Sequence, residues 1–310
     1  MVGAGGVAAR HVRVLTGLGA EVVAVADPVP EAAGRLAADC GATPYGDVDA
    51  ALDARAVDAV YVCVPPFAHG APERAVLARG LPLFVEKPLS VDRDAALALA
   101  AEVDEAGVVT GTGYHWRGLD TVARARDLLA GAPARLAIGS WLDKVPPPAW
   151  WADRSRSGGQ VVEQLTHVLD LARLLVGEVE EVWATGSRVD STPGDVDDVT
   201  AVAVRFAGGA VGTLAASALL PAKRRAALET VSAGGLRLEL SEQELVVETA
   251  AGREVVTPAV NGHDEVDRDF LAAVAGERET TRAPYADALR THLAGLAVAE
   301  SAATGKAVRP

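Results

Sequence analysis

"VGAGGVAARHVRVLTGLGAEVVAVAD", residues 2–27, holds a turn, a helix and a strand in one run. It opens with G-x-G-x-x-A at Gly3, Gly5 and Ala8, with Gly6 and Val7 inside the turn. Glycines at these places allow a tight turn and let backbone approach a pyrophosphate, which then rests on a helix N-terminus. Gly and Ala abound in this chain, so the spacing alone carries little and the context carries more. A helix is expected over 6–18, then the apolar strand "EVVAVAD" (21–27) closing on Asp27. A carboxylate there accepts hydrogen bonds from a ribose diol and repels a 2′-phosphate, which favours NAD over NADP. The plainer alternative is a capping glycine turn followed by a loop aspartate.

The alternation continues outward. "AVYVCV" (59–64), "LPLFVE" (81–86) and "GVVTGTG" (107–113) are short, near-continuous apolar runs. Strands buried on both faces of a parallel sheet have this pattern. Helical stretches separate them at 30–39, 70–79 and 92–106, with Pro30 and Asp92 suited to helix starts. A doubly wound parallel α/β domain of the Rossmann type is therefore expected over 1–118. Its first strand is short, since only Met1 and Val2 precede Gly3. That points to a start placed too far downstream, or to a truncated fragment.

After Gly113 the pattern changes. A helix is expected at 119–130, a strand at 135–142, a loop rich in Pro and Trp at 145–159 and a helix at 160–176. Several strand-like runs follow between 180 and 257, with Gly208-Gly209 and Gly234-Gly235 as hairpin signals. Helices at 263–275 and 285–304 end the chain. Residues 119–310 thus read as a C-terminal α+β domain, with helices on one face of a mainly antiparallel, open-faced sheet. An apolar face left open calls for a cover, so a homodimer or homotetramer is expected.

Composition narrows the function classes. Of 310 residues 50% are hydrophobic and 23% charged, an ordinary balance for a soluble globular protein. No apolar run approaches the roughly 20 residues that span a bilayer, and no export signal opens the chain; neither membrane nor secretion is expected, and the cytoplasm is the default. Cys40 and Cys63 are isolated, so neither a metal site nor a disulfide framework is suggested. A formal net charge of −13 argues against nucleic acid as a partner. "PAKRR" (221–225) reads only as a solvated turn.

"LFVEKPLS" (83–90) raises a separate question, because Lys87 is one of only four lysines and stands at the mouth of a buried strand. With "VCVPPFAHG" (62–70), "GYHWR" (113–117) and the helix "GGQVVEQLTHVLDLAR" (158–173), the chain resembles the family of glucose–fructose oxidoreductase, inositol 2-dehydrogenase and the MocA rhizopine protein over nearly its whole length. The resemblance implies that Lys87 reaches a substrate hydroxyl or carbonyl beside the nicotinamide, and that the Lys87–Pro88 bond is cis. The chemistry agrees: hydride transfer at a carbinol needs a proton partner and a cation for developing oxyanion charge. Lysine can serve as either, whereas arginine stays charged. A solvated lysine at a strand end is the bland alternative.

The resemblance also implies roles for the helix at 160–176. Glu163 and His167 stand four apart, on one helix face. The family usually has Asp where this chain has Glu163; the histidine is often taken as the base, and imidazole, ordinarily near pKa ~6.5, suits that task. Glu163 either orients His167, contacts a hydroxyl or turns aside; Asp170 reads as structural. Pro65, Pro66, His69 and Glu86 fall where the family lines the cofactor, with a helix cap as the alternative for His69. Tyr114, Trp116 and Arg117, beside His115, mark the rim of a ligand crevice, or for Arg117 an ion pair. Trp150, Trp151 and Arg154 form either a sugar-stacking lid or a hydrophobic plug. The expected function is NAD-dependent hydride transfer on a sugar or polyol; transient oxidation without net redox, and dinucleotide sensing without turnover, stay open as alternatives.

Overall fold

The computed structural model describes residues 1–189 and 194–310. The chain starts with α1 (Gly6–Gly17), β1 (Ala24–Ala26), α2 (Pro30–Cys40), β2 (Thr43–Tyr45), α3 (Val48–Ala54) and β3 (Val60–Val62). It continues with α4 (Ala71–Leu77), β4 (Leu83–Val85), α5 (Arg93–Ala106) and β5 (Thr110–Thr112). There follow α6 (Asp120–Gly131), β6 (Ala134–Leu142), the single turn α7 (Arg154–Ser157), a π-helical turn (Val161–Leu165) and α8 (Thr166–Val176). Seven strands come next: β7 (Val179–Ser187), β8 (Val199–Phe206), β9 (Val211–Ser217), β10 (Arg225–Ser232), β11 (Arg237–Ser241), β12 (Leu245–Thr249) and β13 (Gly252–Val256). The helices α9 (Gly262–Val274) and α10 (Tyr285–Thr304) close the chain. Among the described residues no helix is long and apolar enough to cross a membrane.

Two compact units result, Met1–His115 with His263–Leu289, and Trp116–Gly262 with Arg290–Pro310. The division expected near residue 118 lies close to the observed one, but 263–289 folds with the first unit rather than the second. The reason is burial. Phe270 is fully buried and meets Tyr61 and Phe84 with ring centroids 5.3 and 5.5 Å away; burying such a ring contributes ~1.5–3 kcal/mol. Thr281 donates to the Thr110 carbonyl at 2.7 Å, and the Tyr285 N–H donates to the Thr110 hydroxyl at 3.0 Å.

In the first unit all strand pairs are parallel, β2 with β1 and β3 with β4 with β5. The two sets are joined through Val2, which bridges both Ala26 and Val62. Met1 to Gly3 thereby act as a very short central strand: Val2 N–H donates to Tyr61 O and Cys63 N–H to Val2 O, both at 2.8 Å. A cavity of about 520 Å³ adjoins Met1, with Val23, Leu52, Val57 and Leu271 in its lining. The sequence missed β2 because Pro44 sits inside it; as the edge strand of the sheet, β2 can spare that N–H. The seven-residue α3 went unseen as well.

The second unit holds an eight-stranded sheet in the order β13-β12-β11-β10-β6-β9-β8-β7. Among the described residues of this unit only β6 and β9 pair in parallel. The apolar side of α8 (Val168, Leu169, Leu171, Ala172) is buried in this unit's core, together with Ala184, Val202 and Leu214 of the sheet. The opposite row runs Trp183, Ala203, Thr213, Ile138, Glu229 and Glu239 from strand to strand. Here Trp183 is 48% and Ile138 43% exposed. That face is not uniformly apolar: Arg237 binds Glu229, Glu239 and Glu248 at 2.7–3.0 Å.

Candidate active site

The turn after Met1 and Val2 needs its first glycine. Gly3 has φ +87°, and a Cβ there would lie 2.4 Å from the Cys63 carbonyl oxygen. Gly5 is the N-cap of α1 and offers no side-chain cap, and a Cβ placed at Gly5 or Gly6 would meet nothing within 4 Å. Ala8 is buried and Val7 is exposed. Asp27 closes on this turn: one carboxylate oxygen accepts the Ala4 N–H and the other the Val29 N–H, both at 2.8 Å. Uncapped helix amides beside a held carboxylate fit a dinucleotide's pyrophosphate and ribose.

Lys87 follows β4, and its bond to Pro88 is cis. Glu86 before it is buried, and its Oε2 accepts the Lys87 backbone N–H at 2.9 Å. Its Oε1 lies 3.0 Å from His11 Nε2 and 3.6 Å from Arg10 Nη2. A Cβ at Gly113 would fall 2.4 Å from the same carboxyl, so only glycine lets it sit there. The other nitrogen of His11 is 2.7 Å from Asp267 Oδ1. Burial alone would lower the His11 pKa, but the bonds to Asp267 and Glu86 outweigh it and raise it to about 9. Burial pulls Glu86 upward, and the bond to His11, with the charges of His11, Lys87 and Arg10, brings it down to about 2.

The other expected residues are placed as follows. Pro66 is buried at the start of a 3₁₀ turn, while Pro65, its N-cap, is half-buried. His69 Nδ1 is 2.5 Å from Glu73, which also accepts the Gly70 N–H that starts α4, so His69 serves a helix cap. Tyr114 is 1% exposed within a hydrophobic core of the first unit and Trp116 1% exposed within that of the second. The 3₁₀ turn His115–Gly118 accompanies their burial. Arg117 and Asp170 form a buried two-pronged ion pair at 2.5 and 2.7 Å, backed by Thr291 at 2.6 Å. Trp151 is 2% exposed and packs with Val196, Ala218 and Trp150 as a plug, not an open lid. Arg154 binds Asp197 and the Asp195 carbonyl.

His167 lies in α8, with Trp141 stacked at 5.5 Å and Trp116 at 6.5 Å between ring centroids. Glu163 falls in the π turn, which runs directly into α8, so the expected helix over 160–176 is helical throughout, with π geometry in its first part. Such turns occur often at functional positions. Beside them runs a chain that sequence alone missed: Gln160 donates to Gln164, Gln164 reaches Asp143 at 3.4 Å, and Trp141 Nε1 donates to Asp143 at 3.2 Å. Lys223 of the supposed solvated turn sits 4.1 Å over the Trp141 ring. His11 and Asp267 were missed because they are 256 positions apart; no local spacing joins them.

The His11 cluster gives stability a defined pH dependence. Its folded-state pKa stands above the unfolded ~6.5, so its contribution is whole below that pH and is lost as pH rises through about 9. Glu86 acts at the other end: its contribution is present above ~4.5 and lost as pH falls toward about 2. Melting temperature should therefore decline between pH 6.5 and 9.5, and His11→Phe should melt lower with that slope flattened. Parallel slopes in the two proteins would contradict the assignment.

Residues 1–114 match an oxidoreductase family with an NAD-binding Rossmann fold, Gfo/Idh/MocA, and residues 131–239 match a C-terminal domain of the same family. The chain is 31% identical over 231 residues to the myo-inositol dehydrogenase Hyg17 of Streptomyces leeuwenhoekii, covering 71% of this chain and 70% of that protein. It is 27% identical over 302 residues to an NADP-dependent D-xylose 1-dehydrogenase of Haloferax volcanii, covering 93% and 91%. A crystal structure of GenD2 from gentamicin A biosynthesis, in complex with NAD, is similar at a TM-score of 0.86 and 26% identity, covering 100% and 95%. The turn at Gly3, the buried Glu86 before Lys87 and these matches agree: the chain belongs to the Gfo/Idh/MocA family of oxidoreductases.

Proposed function

We propose that this chain is an NAD-dependent oxidoreductase acting on a hydroxyl or carbonyl group of a sugar, an inositol-like polyol or a sugar derivative. The observation that carries the proposal is the lysine held at the end of β4 by a buried carboxylate. A nicotinamide dinucleotide held there would supply the hydride chemistry. The chain's own residues hold the dinucleotide and handle the proton. Gly3, Gly5 and Gly6 with the amides of α1 receive the pyrophosphate, and Asp27 receives the ribose diol and disfavours a 2′-phosphate. Lys87 exchanges the hydroxyl proton and stabilises negative charge on the substrate oxygen. In the second unit His167 is the further proton-handling group, with Glu163 to orient it or to meet a hydroxyl. Relatives named for inositol and xylose dehydrogenation support the substrate class.

Lys87→Met tests the assignment in a screen of polyols and sugars. Turnover should fall by two or more orders of magnitude while NADH binding persists. Near-normal turnover in a folded variant would remove Lys87 from its role.

The open sheet face supports a second copy of this chain as partner. It presents Trp183 and Ile138 beside an arginine–glutamate ladder carrying both signs, which a two-fold pairing can match to itself. Sedimentation at micromolar concentration should show a dimer or tetramer, and Trp183→Glu with Ile138→Glu should shift it toward monomer. A monomeric parent protein would contradict this.

A further inference from the structure

The Glu86 carboxylate is fixed from several sides. One oxygen accepts the Lys87 N–H, the other faces His11 Nε2, and the carboxyl occupies the place that a Cβ at Gly113 would need. His11 in turn has an ionisable oxygen at each ring nitrogen, Glu86 at 3.0 Å and Asp267 at 2.7 Å. A neutral imidazole has one N–H and can donate to only one of two carboxylates; an imidazolium donates to both. The other groups facing this centre are Arg10 on α1, Tyr61 on β3 and the Cys63 thiol. The cluster thus joins three elements: α1, whose N-terminus carries the glycine turn, the strand end that carries Lys87, and α9.

We propose that His11, as a buried imidazolium shared by Glu86 and Asp267, is a positioning residue that sets the placement of Lys87 through the Glu86 carboxylate. This rests on the reading of Lys87 as the proton-handling group, but its structural content does not. With His11 gone, Glu86 loses the donor that aims it, and the Lys87 backbone loses a fixed acceptor. The raised pKa of His11 agrees with a charged ring at neutral pH.

The chain has only four lysines, so protein carrying carbon-13 at lysine Cε gives a spectrum that Lys87→Arg assigns for Lys87. In His11→Phe, folded by its melting curve, the Lys87 resonance should shift by more than its line width while Lys144, Lys223 and Lys306 stay in place. His11→Gln, which keeps a donor toward Glu86, should restore most of the shift. A Lys87 resonance unmoved in folded His11→Phe overturns the proposal. If His11→Phe does not fold, nitrogen-15 spectra of the parent protein decide: both ring nitrogens of His11 should be protonated at pH 7, and a neutral ring there overturns it. Because these spectra need no turnover, Lys87→Met can fail as a catalytic test while the positioning result stands, and the reverse.

Discussion

One buried imidazolium between two carboxylates organises the first unit. His11 draws α1, the end of β4 and α9 to a single point, and the aromatic rings of Tyr61, Phe84 and Phe270 wall it off from water. In such a setting, stripping the partner from a buried charge costs about 3–5 kcal/mol, far more than a surface pair contributes. Each element is therefore held in a fixed place. The same point explains why Glu86 tolerates burial beside Lys87, and why Gly113 across from it has no side chain.

Much of this fold was legible in the sequence. Buried parallel strands write continuous apolar runs, so "AVYVCV" and "LPLFVE" announced β3 and β4, and the paired glycines announced the turns between β8 and β9 and between β10 and β11. What stayed hidden had physical reasons. Pro44 disguised β2, the exposed edge strand β13 carried no alternation, and α9 looked like part of the second domain because nothing local says which core Phe270 will enter. The candidate site divided in the same way. Gly3, Asp27, Glu86 and Lys87 sit at fixed offsets from strands and could be nominated as candidates; Asp267 and Asp143 are brought in by tertiary packing and could not.

The second unit shows how side chains of similar type part company once packed. Trp150 and Trp151, set in a proline-rich loop, suited either a lid or a plug, and Trp151 fills a small core beside Val196 and Ala218. Trp141, which the sequence left unremarked, stacks on His167 and carries Lys223 over its ring. Arg117 suited either a ligand or an ion pair, and Asp170 with Thr291 joins it in a hydrogen-bonded network that spans distant parts of the unit.

The central claim is that the turn at Gly3 and the carboxylate of Asp27 bind NAD in this family member. The most direct measurement is a fluorescence titration of the purified, cooperatively melting chain with NADH and NADPH side by side. The account predicts saturable NADH binding, with NADPH at least ~10-fold weaker, equivalent to about 1.4 kcal/mol. A folded chain that binds neither, or that prefers NADPH, would contradict it.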